Sequence, residues 1–170
     1  MHRRLRQFLH RLGGQRTTPV AGQLVAIYIA STAGARMRPV MSVAAEANRG
    51  LQGDRYHEGA GFWKRTDACQ VTLIAAEDLS EIEARRGLRV ANGEHRRNLV
   101  VRNLPLSLLT DKRLRIGEAL FAYHKPRPPC AYLESLTEPG MVKALSRRGG
   151  VCLRVLQGGR LRVGDTVSVL

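Results

Sequence analysis

The residues of this chain that are best suited to chemistry stand in one short run, KPRPPC at 125–130. Its prolines lack the backbone N–H that helices and sheet ladders use, so the run predicts a stiff, extended arm that ends on the thiol of Cys130. Arg127 lies within the run, and a guanidinium beside a thiol favours the thiolate, the form that acts as nucleophile or metal ligand. A small buried cysteine in an ordinary loop is the alternative at this point.

A second group with chemical potential is the segment NRGLQGDRY at 48–56. Its two glycines predict a tight turn that presents Asp54 and Arg55 at the start of the next element. An ordinary turn with a surface ion pair is the alternative. His57 follows directly, and because no second ligand stands at a spacing typical of a metal site, we expect a solvated histidine.

A third group, EHRRNLVVR at 94–102, places two guanidiniums and the amide of Asn98 just ahead of a β-type run. Donors clustered at the entrance of a strand can hold a phosphate or the polar edge of a pterin, and the planar guanidinium fork suits phosphate in particular. The alternative is solvated surface charge.

Short strands are the elements that must position these groups. Segments rich in β-branched residues, separated by glycine-containing turns, predict strands at 23–30, 69–75, 114–117, 118–124, 151–156 and 161–170. Two helices are predicted, at 77–86 and 139–148. Many short strands and few helices indicate a mainly β (α+β) fold, a closed or nearly closed barrel, and the length of 170 residues suits a single domain.

The net charge of +14 predicts an affinity for anions of any kind, whether nucleic acid, membrane phosphate or a phosphorylated cofactor. Cysteine usage is sparse, because Cys69, Cys130 and Cys152 are odd in number and far apart. This predicts neither a disulfide framework nor a zinc site, and it favours a reducing cytoplasm. No apolar run approaches the ~20 residues of a membrane span, so we expect no transmembrane segment.

The first 18 residues contain five arginines and no acid. Apolar residues at helical spacing make a short basic amphipathic helix plausible within 1–18, and we exclude this segment from the fold. A loosely ordered tail, a surface or partner contact, and a mimic of a transit peptide are the three interpretations of it.

Seven short motifs, taken together and in this order, resemble the MOSC domain, which is named for the C-terminal domain of molybdenum cofactor sulfurase. They are GLQGDR at 50–55, VTLI at 71–74 with Glu77, RRNLVV at 96–101, RIGEA at 115–119, Pro129-Cys130, GGV at 149–151, and Gly158-Gly159 with VGD at 163–165. The resemblance covers residues 20–170 and implies a MOSC-type β-barrel with short helices.

Members of this family bind the molybdenum cofactor, Mo-molybdopterin, a pterin dithiolene with a terminal phosphate. The resemblance implies that Cys130 is the cysteine whose thiolate binds molybdenum, so it is both the predicted metal ligand and the predicted catalytic residue. Soft sulfur donors suit such a centre, and a stiff arm would hold the ligand in place before the metal arrives. Arg55 and Arg96 match arginines that grip the cofactor in amidoxime-reducing relatives.

Three further residues are implied as weaker contacts of the cofactor. Asn98 follows the matched arginine by two residues and is either a ligand of the cofactor or structural. Asp54 either contacts the cofactor or orients Arg55, and Pro128 would offer a backbone carbonyl near the pterin.

The function implied by the resemblance is that of a molybdenum-dependent oxidoreductase that reduces N-hydroxylated small molecules. The amidoxime-reducing relatives carry a further N-terminal β-rich domain that has no counterpart here, so we expect a stand-alone MOSC protein that draws electrons from a separate electron-transfer protein. The alternative is a sulfur carrier, in which Cys130 takes a persulfide from a cysteine desulfurase and delivers sulfur to a metal centre. A nucleic-acid-binding module is the third reading, but dispersed arginines and few aromatic residues predict no specific nucleic-acid partner.

Overall fold

The computed structural model describes residues 20–63 and 69–170 of the chain. Its strands are β1 (Ala21–Ile29), β2 (Arg38–Val40), β3 (Ser42–Glu46), β4 (Gly50–Leu51), β5 (Val71–Ala75), β6 (Leu99–Arg102), β7 (Arg113–Ile116), β8 (Ala119–Pro126), β9 (Val151–Gln157), β10 (Gly159–Arg162) and β11 (Thr166–Val169). The helices are α1 (Ala76–Arg86), α2 (Ala131–Ser135) and α3 (Met141–Leu145), and a 3₁₀ turn covers Leu106–Leu109.

Seven of these strands close into a barrel. Their order is β11-β7-β8-β9-β5-β6-β1, and β11 also pairs with β1, which joins the two ends of the sheet. Neighbours are antiparallel except for β5 and β6, and β2 extends the sheet beyond β1. A second, small sheet contains β10, β3 and β4. The prediction of a single mainly β domain with a closed barrel is confirmed.

The barrel interior follows the two-residue period of its strands. In β7, Leu114 and Ile116 are fully buried while Arg113 and Arg115 are exposed, as expected where successive side chains point to opposite faces. Phe121 on β8 is also fully buried in this core. Removing a side chain of this size from water contributes about 1.5–3 kcal/mol.

Helix α1 covers the outside of the barrel at β5. Every residue of that strand is buried, because Leu79 and Ile82 of the helix pack with Ile74 on its outer face. The predicted helix is confirmed, as is its end at Gly87, which has the left-handed φ of 63° that glycine adopts without strain.

The proline run departs from its prediction at one end. Strand β8 continues through Pro126, which pairs with Val151 of β9, although we expected no ladder pairing within the run. The pairing of β8 with β7 ends at Ala122, so within the described ranges a proline at position 126 removes no ladder bond to β7. The C-terminal helix is also shorter than predicted, covering Met141–Leu145.

Two expectations about individual side chains were wrong. Cys69 and Cys152 form a disulfide, because the pairing of β5 with β9 brings together residues that are 83 apart in sequence. The reducing compartment was inferred from the expected lack of disulfides, so this inference no longer has support. The side chain of His57 is 8% exposed rather than solvated, and it lies between the carboxylates of Glu46 and Glu58 at 2.8 and 2.7 Å.

The expectations for residues 1–18 lie outside the described residues. None of the helices in the described ranges combines the length and the hydropathy that a bilayer crossing needs.

Candidate active site around Cys130

A cavity of about 550 Å³ opens beside the arm that carries Cys130. This volume lies within the range of about 300–1,000 Å³ that is typical of small-molecule sites. Its wall combines the Cys130 thiol with guanidiniums, aromatic rings and prolines, contributed mainly by Arg55, Arg96, Arg97, Arg127, Tyr56, Phe62, Trp63, Tyr132, Pro126, Pro128 and Pro129.

The arm is fixed to the barrel through its backbone. The N–H of Arg127 donates to the carbonyl oxygen of Gly150 at 2.9 Å. A Cβ on the neighbouring Gly149 would collide with the carbonyl oxygen of Arg127, so this approach requires glycine. Cys130 lies at the end of the arm and starts helix α2 in an extended conformation, with φ −139° and ψ 164°. It is partly exposed, and it is the free cysteine of the described residues.

Arg55 lies in the wall of this cavity with 5% of its surface exposed. One terminal nitrogen donates to Asp54 Oδ1 at 3.1 Å and contacts the sulfur of Met37 at 3.2 Å, while the other donates to the carbonyl oxygen of Arg96 at 3.2 Å. Its guanidinium carbon lies 4.5 Å from the centre of the Tyr56 ring, a cation–π distance. The side chain is therefore held in one position.

Asp54 holds Arg55 from behind the cavity wall. Its Oδ1 accepts hydrogen bonds from the backbone N–H of Ala30 and from Asn98 Nδ2, at 3.1 and 3.0 Å, and its Oδ2 accepts from the N–H of Tyr56 at 3.1 Å. With 1% of its surface exposed, Asp54 does not line the cavity.

Asn98 extends this buried network to the strands. Its Nδ2 also donates to the carbonyl oxygen of Tyr28 at 3.1 Å, and its Oδ1 accepts from the backbone N–H and the hydroxyl of Thr72 at 3.1 and 2.8 Å. The amide is fully buried and all its hydrogen-bonding groups are used within the protein. In this arrangement it fixes the loop before β6 to β1 and β5.

Arg96 enters the cavity from a backbone conformation that is rare for its type. Its φ is 58°, in the left-handed region, where a non-glycine residue is uncommon and often associated with function. Its terminal nitrogens donate to the carbonyl oxygens of Ala35 and Ala33 at 2.9 and 2.6 Å. Burial, and then the charge of nearby Arg55, hold the pKa of Arg96 below its usual value.

Arg97 lines the cavity, and although the sequence placed it in the donor cluster at 94–102, it was not assigned as a site residue. The only signal for it was its place in the Arg-Arg pair, where the family motif pointed to Arg96. Its Nε donates to the carbonyl oxygen of Gly149 at 2.6 Å, and its terminal nitrogens donate to those of His95 and Arg127 at 3.2 and 3.3 Å. It therefore ties the loop before β6, the turn before β9 and the arm together.

Aromatic rings form the remaining part of the wall. Phe62 stacks on Tyr132, with ring centres 3.9 Å apart and planes 12° from parallel, and it meets Trp63 edge-on at 4.9 Å. Tyr56 accepts a hydrogen bond on its hydroxyl from Arg127 at 2.9 Å. The wall thus offers flat apolar surface beside the cationic groups, a combination suited to a planar anionic ligand.

A family model of the MOSC domain matches residues 35–168. The chain belongs to the MOSC domain family. Its fold is similar to that of YuaD from Bacillus subtilis, with a TM-score of 0.72 and 20% identity over 89% of this chain and 97% of that one. It is also similar to YiiM from Geobacillus stearothermophilus (TM-score 0.63, 21% identity, 88% and 75% covered) and to YiiM from Escherichia coli (0.58, 19%, 89% and 69%). Comparison with the curated proteins gives no significant match.

Within this MOSC domain, the fold brings four of the six predicted site residues to one cavity, namely Cys130, Arg55, Arg96 and Pro128. The other two, Asp54 and Asn98, lie behind the wall and hold it in place. Among the residues that the structure describes, no three His, Cys, Asp or Glu side chains are grouped so that they would hold a bare metal ion. The family is linked to the molybdenum cofactor, and a cofactor brings most metal ligands with it.

Proposed function

We propose that this MOSC protein binds the molybdenum cofactor in the Cys130 cavity and acts as an oxidoreductase on N-hydroxylated small molecules. The observation that carries the proposal is the convergence of a single free thiol and buried guanidiniums on one cavity of about 550 Å³. The thiol suits a soft metal that is already held by dithiolene sulfurs, and guanidiniums suit a phosphate.

The donor set of the cavity fits this cofactor. The Cys130 thiolate would bind the metal, Arg55 and Arg96 would hold the phosphate or pterin oxygens, and Pro128 would lie along the pterin edge. Asp54 and Asn98 would act through Arg55 and the loop before β6, by keeping the cationic wall rigid. When bound, the cofactor would supply two-electron redox chemistry, which the side chains of the chain cannot provide by themselves.

In the proposed reaction, an N-hydroxylated substrate loses its oxygen atom as water and leaves as the corresponding amine. The N–O bond breaks, two protons are taken up, and two electrons come from a separate electron-transfer protein. The role of the chain is to exclude bulk water from the cavity and to orient the substrate against the aromatic wall of Phe62 and Tyr132.

The proposal is tested by elemental analysis of the full chain purified from a host that makes the cofactor. We expect close to one molybdenum atom per chain, lost in Cys130→Ser and retained in the control Ser135→Ala, an exposed position on the helix that follows Cys130. Metal-free wild-type protein, or equal molybdenum in both variants, would overturn the proposal.

A second function, sulfur transfer, is favoured by the partial exposure of Cys130, which leaves the thiol accessible to a protein donor. Here the Cys130 thiolate attacks the outer sulfur of a desulfurase persulfide, forms a new S–S bond, and releases the donor cysteine as a thiolate. Mass spectrometry after incubation with a cysteine desulfurase and free cysteine should then show one added sulfur on Cys130. An unmodified Cys130 would exclude this function.

Both functions are proposed for the cytoplasm, where the electron-transfer protein or desulfurase would be met. The buried disulfide between Cys69 and Cys152 argues against this location, because disulfides are rare in reducing compartments.

A further inference from the structure

Arg97 is a buried cation that no carboxylate neutralises within the described part of the chain. Only 3% of its surface is exposed, and its three hydrogen bonds all go to backbone carbonyls. Burying a charge without a partner of opposite sign is costly, and proteins generally avoid it. Burying an arginine at this position only to hold loops together would cost desolvation free energy that a neutral side chain would avoid. This cost indicates that the charge of Arg97 has a function.

Within the described ranges, buried arginines outnumber buried acids around this cavity. Three arginines (Arg55, Arg96 and Arg97) are buried against this cavity, and Asp54 is the one acid among the buried residues of the described ranges. Asp54 already forms an ion pair with Arg55, in which its Oδ1 lies 3.1 Å from a terminal nitrogen of the guanidinium. Burial and the nearby charge of Arg127 lower the pKa of Arg97 to about 9, so it is still protonated at neutral pH.

The position of Arg97 relative to the arm explains how this charge would be used. It donates to the carbonyl oxygen of Arg127, three residues before Cys130, and it lines the same cavity as the thiol. The hydrogen bonds to three backbone carbonyls fix the direction of the guanidinium but do not neutralise its charge. A preorganised anion site requires a cation that is held in this way.

We propose that Arg97 is the fixed cation of an anion-binding site beside Cys130, and that the chain itself recognises an oxyanion of the phosphate or sulfate class there. The inference rests on the cavity of the proposed function, but it concerns the side chains alone and requires no molybdenum. It adds Arg97 to the two arginines implied by the family motifs.

The test is the alkylation of Cys130 in the full chain, made in a host that cannot supply the cofactor and kept without reductant so that the disulfide persists. The rate with anionic iodoacetate is divided by the rate with neutral iodoacetamide, and this ratio is normalised to that of a free thiol. A positive charge beside the sulfur raises the ratio, whereas a change in accessibility affects both reagents alike.

We expect the ratio in wild-type protein to exceed that of a free thiol, and to fall by about threefold or more in Arg97→Met, as the Coulomb attraction of one nearby charge predicts. The matched control is Arg154→Met, which removes the same charge from an exposed position on β9 and should leave the ratio unchanged. An unchanged ratio in Arg97→Met, or an equal fall in both variants, would overturn the proposal.

A second measurement uses wild-type protein, so it holds even if Arg97→Met does not fold. Sodium sulfate should slow the reaction of Cys130 with iodoacetamide more than sodium chloride does at equal ionic strength. Equal rates in the two salts would refute the anion site. If sulfate protects Cys130 while the chain purified from a cofactor-making host contains no molybdenum, the anion site stands and the molybdenum proposal fails, so the two failures can be told apart.

Discussion

His95 should make the stability of this protein depend on pH in a way that one substitution removes. The ring is fully buried: its Nδ1 accepts the backbone N–H of Arg97 at 3.0 Å, its Nε2 has no partner in the described structure, and it meets the Tyr28 ring edge-on at 5.4 Å. Burial, followed by the charge of Arg97, lowers the pKa of His95 to about 3. The folded protein therefore keeps this imidazole neutral in weak acid.

The magnitude follows from the difference between the folded and unfolded pKa values. In the unfolded chain the ordinary value of 6.5 applies, so below that pH the unfolded state binds a proton that the folded state rejects. The free energy of unfolding falls as the pH drops from 6.5 towards 3, at 1.36 kcal/mol per unit. Between about pH 7.5 and about pH 5 the expected loss is about 2 kcal/mol.

The assay is urea unfolding of wild-type protein and His95→Asn at those two pH values. Asparagine does not titrate, and its side-chain oxygen can still accept the N–H two residues ahead. The variant should be less stable at both pH values but should lose about 2 kcal/mol less on acidification. An equal loss in both proteins would refute the reasoning.

His57 makes the stability depend on pH in the opposite sense to His95. Because His57 is present in both wild-type protein and His95→Asn, its contribution cancels when the two proteins are compared. Burial by itself lowers the pKa of His57, but hydrogen bonds to Glu46 and Glu58 outweigh it, so the pKa lies above its usual value. The stabilisation it gives is complete below the unfolded pKa and is lost as the pH rises through the folded pKa.

Two further predictions concern the glycine beneath the arm and the disulfide. Gly149→Ala should destabilise the protein by about 2 kcal/mol or more in urea unfolding, because the new methyl overlaps the carbonyl oxygen of Arg127. In Gly34→Ala the methyl meets, among the described residues, only the Tyr132 hydroxyl at 4.0 Å, so a similar loss there would contradict the explanation. Reduction of the Cys69–Cys152 disulfide should lower the free energy of unfolding by up to about 4 kcal/mol, since it opens a loop of 83 residues. Identical urea midpoints with and without reductant would show that the bond does not stabilise the chain.

Local sequence patterns were sufficient for a strand of the barrel and for the helix that covers it. The glycine-bounded run at 114–117 predicted β7, and the early acids, the apolar stripe of Leu79 and Ile82 and the following Gly87 predicted α1. Strands β2 to β4 were missed because β2 and β4 span only three and two residues, and because β3, Ser42–Glu46, contains a single β-branched residue. Helix α2 was missed for a related reason, since five residues give no periodic pattern.

The amino-acid sequence by itself determined the stiff arm ending at Cys130, because proline restricts the backbone wherever it occurs. It also determined most of the barrel strands and the family, since motif order is a property of the chain alone. Tertiary structure decided which side chains meet: the pairing of Cys69 with Cys152 across 83 residues, and the contact of Arg97 with Gly149 across 52. Such contacts depend on strand order and barrel closure, which bring together residues that no local pattern relates.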